Sequence, residues 1–244
     1  MGTRTMKHIS KLLGAASLAA VAAFTANPAY AAGTAAGSTI TNNVTVNYQV
    51  GGFAQTQEAA SDTFTVDRKV NLTVAESGTT TTQVSPAQTN AVTTFTVTNL
   101  SNAALDFSLA AAQQTGGAGA HSNTDNFDVT NVRIYRESGS VAGFDATDVL
   151  VTYLDELAAD GTATLYVVSD VPTGLDSGDV AAVTLTATAR EAGTASTMGG
   201  ALSETSGANT SGVDTVYADG TGATDGNRDA AYSAKDDYTV FAAA

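Results

Sequence analysis

The amino-acid sequence predicts an all-β fold, built as an antiparallel β-sandwich. Apolar and polar residues alternate along many short segments, which is the period of a strand with one buried face. Threonine and valine dominate these segments, and β-branched side chains suit a pleated surface. Glycine-containing turn signals separate the segments at the spacing of a sandwich. Beyond residue 31, no window of a dozen residues has helical periodicity.

The first two predicted strands have the clearest alternation. Apolar side chains occupy most even positions from Ile40 to Val50, and the dipeptide Gly51-Gly52 follows as a tight turn. Most even positions from Phe64 to Val74 are apolar as well. We therefore expect residues 32–62 to form an N-terminal β-hairpin segment.

Six further strands are predicted at similar spacing, and with them we interpret residues 63–190 as the core of the sandwich. In the last of them, alanine, valine and leucine share one face while threonine occupies the other. The six segments are Val92–Leu100, Leu105–Leu109, Phe127–Tyr135, Val149–Leu154, Thr162–Val168 and Val180–Ala189.

Two stretches lack this alternation. Residues 113–126 are rich in glycine, alanine and asparagine and are predicted to form a long loop. Residues 191–212 have almost no large apolar side chains, so we expect a flexible Gly/Ser/Thr-rich excursion. Short β patterns resume within residues 213–244, which predicts C-terminal strands that return to the sandwich. A disordered tail from Glu191 onward is the alternative.

Residues 1–31 have the pattern of a secretory signal peptide. A positive n-region without acids precedes the apolar segment Leu12–Phe24, and Ala29-Tyr30-Ala31 fits a signal peptidase site. A folded N-terminal helix is the alternative. We expect export to the periplasm, the cell surface or the medium of a Gram-negative bacterium. Cleavage would remove three of the 10 basic residues and none of the 24 acidic ones, leaving a net charge of 7 − 24 = −17.

Three parts of the chain resemble the bacterial secreted Ig-like "conserved repeat domain" surface proteins, a domain family of unknown function. They are GTAAGSTITNNVTVNYQVGG (Gly33–Gly52), VDRKVNLTV (Val66–Val74) followed by SPAQTNAVTTFTVTN (Ser85–Asn99), and the segment Leu154–Ala189. The resemblance implies an Ig-like sandwich of seven to nine strands that acts as a spacer or building block on the cell exterior. It supplies no catalytic residues. Members often contain several copies, whereas no internal repeat is visible here.

Composition argues against several functions. The net charge of −14 disfavours nucleic-acid binding, and the lack of cysteine excludes disulfides and thiolate chemistry. His121 is the one histidine beyond residue 31, and its glycine-rich loop predicts a solvated side chain instead of a catalytic base.

A secreted hydrolase is a distant alternative. The acids Asp145, Asp148, Asp155 and Glu156 could supply a glycosidase pair, but the chain has no tryptophan to stack sugars. Acids beside glycine and alanine in turns are more often solubilising groups. We therefore expect no enzymatic activity.

Two site hypotheses remain. Asp214, Asp219, Asp225 and Asp229 could supply oxygen ligands to calcium, although their spacing misses the known calcium-loop motif and Asp-Gly pairs also form ordinary turns. Lys69 could form a covalent staple with Asn99, although a strand lysine usually extends into solvent. We expect no cofactor, with calcium as the exception if the first hypothesis holds.

The sequence thus favours an exported, non-enzymatic structural or adhesive protein of the cell surface. Its partners would be other surface proteins or further copies of itself. The N-terminal strand, Ala32–Val50, could add to a neighbouring molecule, or pair with the strand after Gly51-Gly52 as hairpin neighbours normally do. A calcium- or carbohydrate-binding secreted module is the alternative function.

Overall fold

A computed structural model describes residues 33–241, which form β-strands connected by turns and loops, with no helix among them. The predicted signal peptide lies outside these residues. The strands are β1 Thr39–Val46, β2 Gln49–Val50, β3 Phe53–Ala54, β4 Glu58–Thr65, β5 Arg68–Val70, β6 Leu72–Glu76, β7 Thr82–Val84, β8 Ala91–Asn99, β9 Leu105–Gln113, β10 Thr130–Arg136, β11 Val149–Leu150, β12 Tyr153–Leu157, β13 Thr162–Asp170, β14 Val180–Arg190, β15 Thr215–Tyr217 and β16 Ala231–Val240.

Ten of these strands form two five-stranded sheets. The first sheet has the order β11-β10-β13-β8-β6, and the second has the order β12-β9-β14-β16-β7. Four strands of the first sheet, in the order β10-β13-β8-β6, and three of the second, in the order β9-β14-β16, have the arrangement of the two sheets of an immunoglobulin domain. All pairs are antiparallel except β7, which runs parallel to β16. The predicted all-β, Ig-like sandwich is confirmed.

The core lies between the two sheets, where the strands contribute alternate residues. In β8 every second side chain from Ala91 to Asn99 is buried, with Phe95 and Val97 fully enclosed. In β14 the predicted apolar face from Ala181 to Ala189 belongs to the same core. Without any disulfide, the sandwich is held together by this burial and by the backbone ladders.

Two predicted strands differ from the structure. The segment Val149–Leu154 is divided between β11 and β12, which lie in opposite sheets. The chain crosses at Val151 and Thr152, whose backbone groups pair with β10 and β9 respectively. The segment Leu105–Leu109 is longer than predicted, because β9 continues to Gln113 alongside β14.

The C-terminal residues return to the sandwich, so the alternative of a disordered tail is wrong. Strand β16 pairs with β14 over nine residues, and β15 runs parallel to β5. The intervening segment 191–212 has no strand, but fully buried Asp106 accepts backbone N–H groups from Gly193 and Gly199. At Gly199 a side chain would collide with the Glu191 carbonyl oxygen, so only glycine allows this close approach. The flexibility of this segment stays a prediction.

Candidate functional site

Residues 39–65 form a two-stranded β-ribbon separate from both sheets, here called the ribbon. Strands β1 and β4 pair over eight residues, from Thr39 opposite Thr65 to Val46 opposite Glu58. Strands β2 and β3 continue it to a turn at Gly51-Gly52, where both glycines have positive φ angles. The N-terminal strand therefore pairs within its own hairpin. Among the described residues, no third strand pairs with either edge of the ribbon.

The ribbon exposes large apolar side chains that a soluble fold normally buries. Phe53 at the tip is 77% exposed, and Phe64 near the base is 52% exposed. Val44 and Val46 lie on the same face of β1, and Phe64 lies opposite Ile40 on the partner strand. The exposed apolar residues of the ribbon are Val44, Val46, Tyr48, Val50, Phe53 and Phe64. Concentrations of exposed apolar side chains on a folded domain are typical of contact surfaces.

The ribbon also carries less charge than the chain average. Its 27 residues contain only two acids, Glu58 and Asp62, and no basic residue, whereas the whole chain has 24 acids against 10 lysines and arginines. The ribbon therefore carries little charge, which reduces its repulsion toward other acidic surfaces.

A second group of exposed apolar side chains lies at the free edge of the first sheet. In β11, Val149 and Leu150 are more than half exposed, and they pair on one side only, with Arg136 and Tyr135 of β10. Arg136 is exposed and forms no ion pair within residues 33–241. Beside it lies a shallow depression of about 320 Å³, lined by Arg136, Leu150, Val151, Thr152, Tyr153, Asp155 and Ser196.

A cluster of acids surrounds His121, in the loop after β9. The His121 backbone N–H donates to Asp237 Oδ2 at 3.0 Å, and its Nδ1 lies 2.8 Å from Asp237 Oδ1. Its Nε2 lies 3.2 Å from Glu76 Oε1. Asp236, only 4% exposed, places a carboxylate oxygen within 4.8 Å of ligand atoms of Glu76 and His121. His121 is thus held in place, contrary to the solvated side chain expected from the sequence.

Each ionisable group in this cluster changes the protonation of its neighbours. The hydrogen bond to Asp237 raises the pKa of His121 above 6.5, and the charges of Asp237, Glu76 and Asp236 add to this against a smaller effect of burial. Burial raises the pKa of Asp236 to about 7, and the charges of Glu76 and Asp237 act in the same direction. The carboxylates around His121 therefore stabilise a proton or a cation bound among them.

Three aspartates of the calcium hypothesis, Asp219, Asp225 and Asp229, lie in the loop between β15 and β16, and the fourth, Asp214, lies just before β15. Asp219 accepts the backbone N–H groups of Asp229 and Ala230, while Asp229 itself accepts those of Gly226 and Ala231. The carboxylates of Asp214 and Asp225 likewise accept hydrogen bonds within their own loops. Within residues 33–241, the three-residue group close enough for one metal ion is Glu76, His121 and Asp236, which includes none of the four. Calcium binding stays a prediction without support from this geometry.

The two residues of the covalent-staple hypothesis differ in their surroundings. Lys69 is exposed, whereas Asn99 is fully buried. The Asn99 side-chain amide donates to backbone carbonyls at Ala103, Leu157 and Ala158, and its oxygen accepts the Ser101 N–H. The residue opposite Asn99 in the ladder is Leu72. These contacts give Asn99 a structural role in a turn, and the staple stays a prediction.

The acids considered for a glycosidase also take part in local turns. Asp145 and Asp148 organise the loop after β10 by accepting backbone N–H groups from within it. Asp155 accepts the Ser196 N–H, and Glu156 follows it in β12 at a positive φ angle. The structure therefore assigns ordinary loop-stabilising contacts to Asp145, Asp148 and Asp155.

The fold and these surfaces define an all-β, Ig-like sandwich protein with an exposed two-stranded ribbon. No protein-family model and no curated protein matches the chain. No helix in the described part of the chain is long and apolar enough to span a membrane.

Proposed function

We propose that this protein is an exported, non-enzymatic structural or adhesive component of the bacterial cell exterior, and that it associates with further copies of itself through the ribbon. The observation that carries the proposal is the ribbon's exposed apolar face, with two unpaired strand edges beside it. Unpaired edges present free backbone N–H and C=O groups to an added strand. The signal-peptide pattern of residues 1–31 supports export.

The binding surface on the second copy is the free edge at β11. A ribbon strand can add to that edge by backbone hydrogen bonds over the two residues of β11. Because neighbouring strand residues point to opposite faces, its valines would then lie beside either Val149 or Leu150 of the other copy. Because the ribbon and the β11 edge are different surfaces, such contacts repeat from copy to copy and produce an open filament, or a ring where the rotation between copies closes.

Charge supports this pairing of surfaces. The ribbon contains two acids, Glu58 and Asp62, and the β11 edge presents the exposed cation of Arg136. The chain as a whole has 24 acids against 10 lysines and arginines, so orientations that bring two acidic surfaces together are disfavoured. Electrostatics therefore favours the ribbon-to-edge orientation over contacts between acidic surfaces.

The experiment compares lysines on the two faces of β1. The double variant Val44→Lys, Val46→Lys places charge on the apolar face, while Asn43→Lys, Thr45→Lys adds the same charge to the opposite exposed face. We expect the first variant to weaken self-association at least about tenfold and the second to weaken it much less. Sedimentation velocity and electron microscopy of filaments measure the outcome. Equal effects of both variants, or a wild-type chain that stays monomeric at every concentration, would contradict the proposal.

A charge exchange tests which surface receives the ribbon. Arg136→Glu should weaken association, and combining it with Asp62→Lys should restore part of the loss, because the pair is then inverted. Arg133→Glu, on the same strand but paired with Asp170, is the matched control. If the charge exchange fails while the Val44→Lys, Val46→Lys variant still weakens association, self-association through the ribbon stands. The β11 edge is then excluded as the surface that receives the ribbon.

A further inference from the structure

We propose that Glu76, His121 and Asp236 form a binding site for one divalent transition-metal ion, such as Zn²⁺. A carboxylate from each of two strands and one imidazole offer ligand atoms that all lie within 4.8 Å of one another. Such a mixed nitrogen and oxygen set suits zinc and its neighbours in the first transition series. The site is separate from the ribbon and from the β11 edge, and it does not depend on the proposed function.

The orientation of His121 supports metal binding through Nε2. Its Nδ1 faces the fully buried carboxylate of Asp237, which also accepts the His121 backbone N–H. A carboxylate that accepts the Nδ1 proton selects the tautomer with a free electron pair on Nε2 and increases the basicity of the ring. Metal-ligating histidines in proteins usually have such a partner.

The carboxylates of the two other proposed ligands, Glu76 and Asp236, have few hydrogen-bond partners. Glu76 Oε1 is buried and has no hydrogen-bond donor of acceptable geometry, although Nε2 lies 3.2 Å away. Asp236 is 96% buried, and within residues 33–241 its one hydrogen bond comes from the backbone N–H of Asp237. A buried carboxylate oxygen normally has a donor or a cation beside it, so Glu76 Oε1 is an acceptor that a bound cation would satisfy.

One ligand separation already fits a zinc ion. With metal–ligand bonds of about 2.0–2.1 Å, neighbouring ligands of a tetrahedral zinc lie about 3.3 Å apart. The separation of 3.2 Å between Nε2 and Glu76 Oε1 matches this value. Three protein ligands leave the fourth position to water.

The place of the site in the fold suggests a structural role. Glu76 ends β6 of the first sheet, and Asp236 lies in β16 of the second sheet, on the side shared with the core residues Tyr238 and Val240. An ion bound here would join the two sheets and the His121 loop. In a chain without cysteine, it would provide a cross-link that a disulfide cannot.

Calorimetric titration of the full chain, purified without a histidine tag and stripped with chelator, tests the proposal with Zn²⁺ as the probe and Ca²⁺ as the comparison. We expect one zinc per chain, weak or no calcium binding, and a melting temperature raised by about 5 °C at saturating zinc. His121→Ala should abolish this binding, and Asp236→Asn should weaken it at least about tenfold. Nitrogen NMR of the wild-type imidazole gives a readout independent of variant folding, since zinc should shift Nε2 strongly and Nδ1 little.

Two matched controls accompany the variants. His8→Ala removes the other histidine of the chain, and Asp225→Asn removes an acid that lies outside the cluster. Both should leave zinc affinity unchanged. Zinc binding that survives His121→Ala, a wild-type Nε2 resonance that does not move, or no saturable binding at one zinc per chain would each overturn the proposal. The last result would identify the cluster as an ion pair between a protonated His121 and its acids.

Discussion

Strands β1 and β8 have nearly the same type of sequence and opposite environments. Both alternate threonine or asparagine with valine and similar residues, as TITNNVTV and AVTTFTVTN show. In β8 every second residue is buried between the sheets, whereas in β1 every residue but one is exposed. The same two-residue period therefore occurs once in the core and once on a ribbon that packs against neither sheet.

The difference shows that alternation determines strand formation but not what covers the apolar face. A strand with apolar and polar faces is stable only when its apolar face is buried, and an isolated two-stranded hairpin is marginal in water. The sandwich provides that cover for β8 within the chain. For β1 neither sheet of the described residues provides that cover, which is the physical reason for our proposal that the ribbon is a contact surface.

Replacing a phenylalanine in each region should produce the largest contrast. Phe95→Ala removes a fully buried ring and should lower the free energy of unfolding by about 3–5 kcal/mol. Phe64→Ala, in the ribbon, should change it by less than about 0.5 kcal/mol. Urea denaturation of the monomeric protein measures both. A large loss from Phe64→Ala would show that the ribbon packs on the sandwich after all.

The pH dependence of stability should come from the sandwich. Asp236 has a folded pKa of about 7, far above its ordinary value, so folding binds a proton that is lost as pH rises toward 7. His121, whose pKa is raised above 6.5, stabilises the fold below that value and stops doing so as pH rises through its folded pKa. Asp236 therefore lowers stability as pH rises from about 4 to about 7, and His121 lowers it further as pH rises above 6.5.

Several carboxylates act oppositely at lower pH, because a lowered folded pKa stabilises the fold only while the group is ionised. They are Glu137, Asp145, Asp170, Glu204 and Asp214. Stability should therefore peak between about pH 4 and pH 5, and the melting temperature in chelator should fall by roughly 5 °C toward pH 8. Asp236→Asn should flatten this fall, while Asp62→Asn in the ribbon should leave it intact. A melting temperature that rises from pH 5 to pH 8 would contradict the assignment.

The smallest expected effect comes from replacing one turn glycine in the ribbon and one in the sandwich. Gly52, at the ribbon turn, has φ = 85°, and Gly178, in a turn before β14, has φ = 97°; neither has an atom within 4 Å of an added Cβ. Alanine at either position costs about 1 kcal/mol of backbone strain. Gly178→Ala should lower global stability by that amount, whereas Gly52→Ala should only speed hydrogen exchange of ribbon amides. Equal global losses would show that ribbon and sandwich unfold together.

The sequence predicted the strands more successfully than the site. Period-two alternation and glycine turns depend on neighbouring residues, so β1, β8, β13 and β14 are visible in the sequence. The division of Val149–Leu154 between two sheets has no local signal, because it depends on which strands accept its backbone groups. The cluster at His121 is equally hidden, since Glu76 and Asp236 lie 45 and 115 residues away from it in the chain.

By itself, the sequence determined that this protein is a cysteine-free β-sandwich with a hairpin near its N-terminus, because strand period and turn chemistry are local properties of the backbone. Only the tertiary structure decided that the hairpin stays uncovered, that Asn99 is enclosed while Lys69 is exposed, and that three acids converge on one histidine. Those outcomes depend on long-range strand pairing and on burial, which no window of sequence contains.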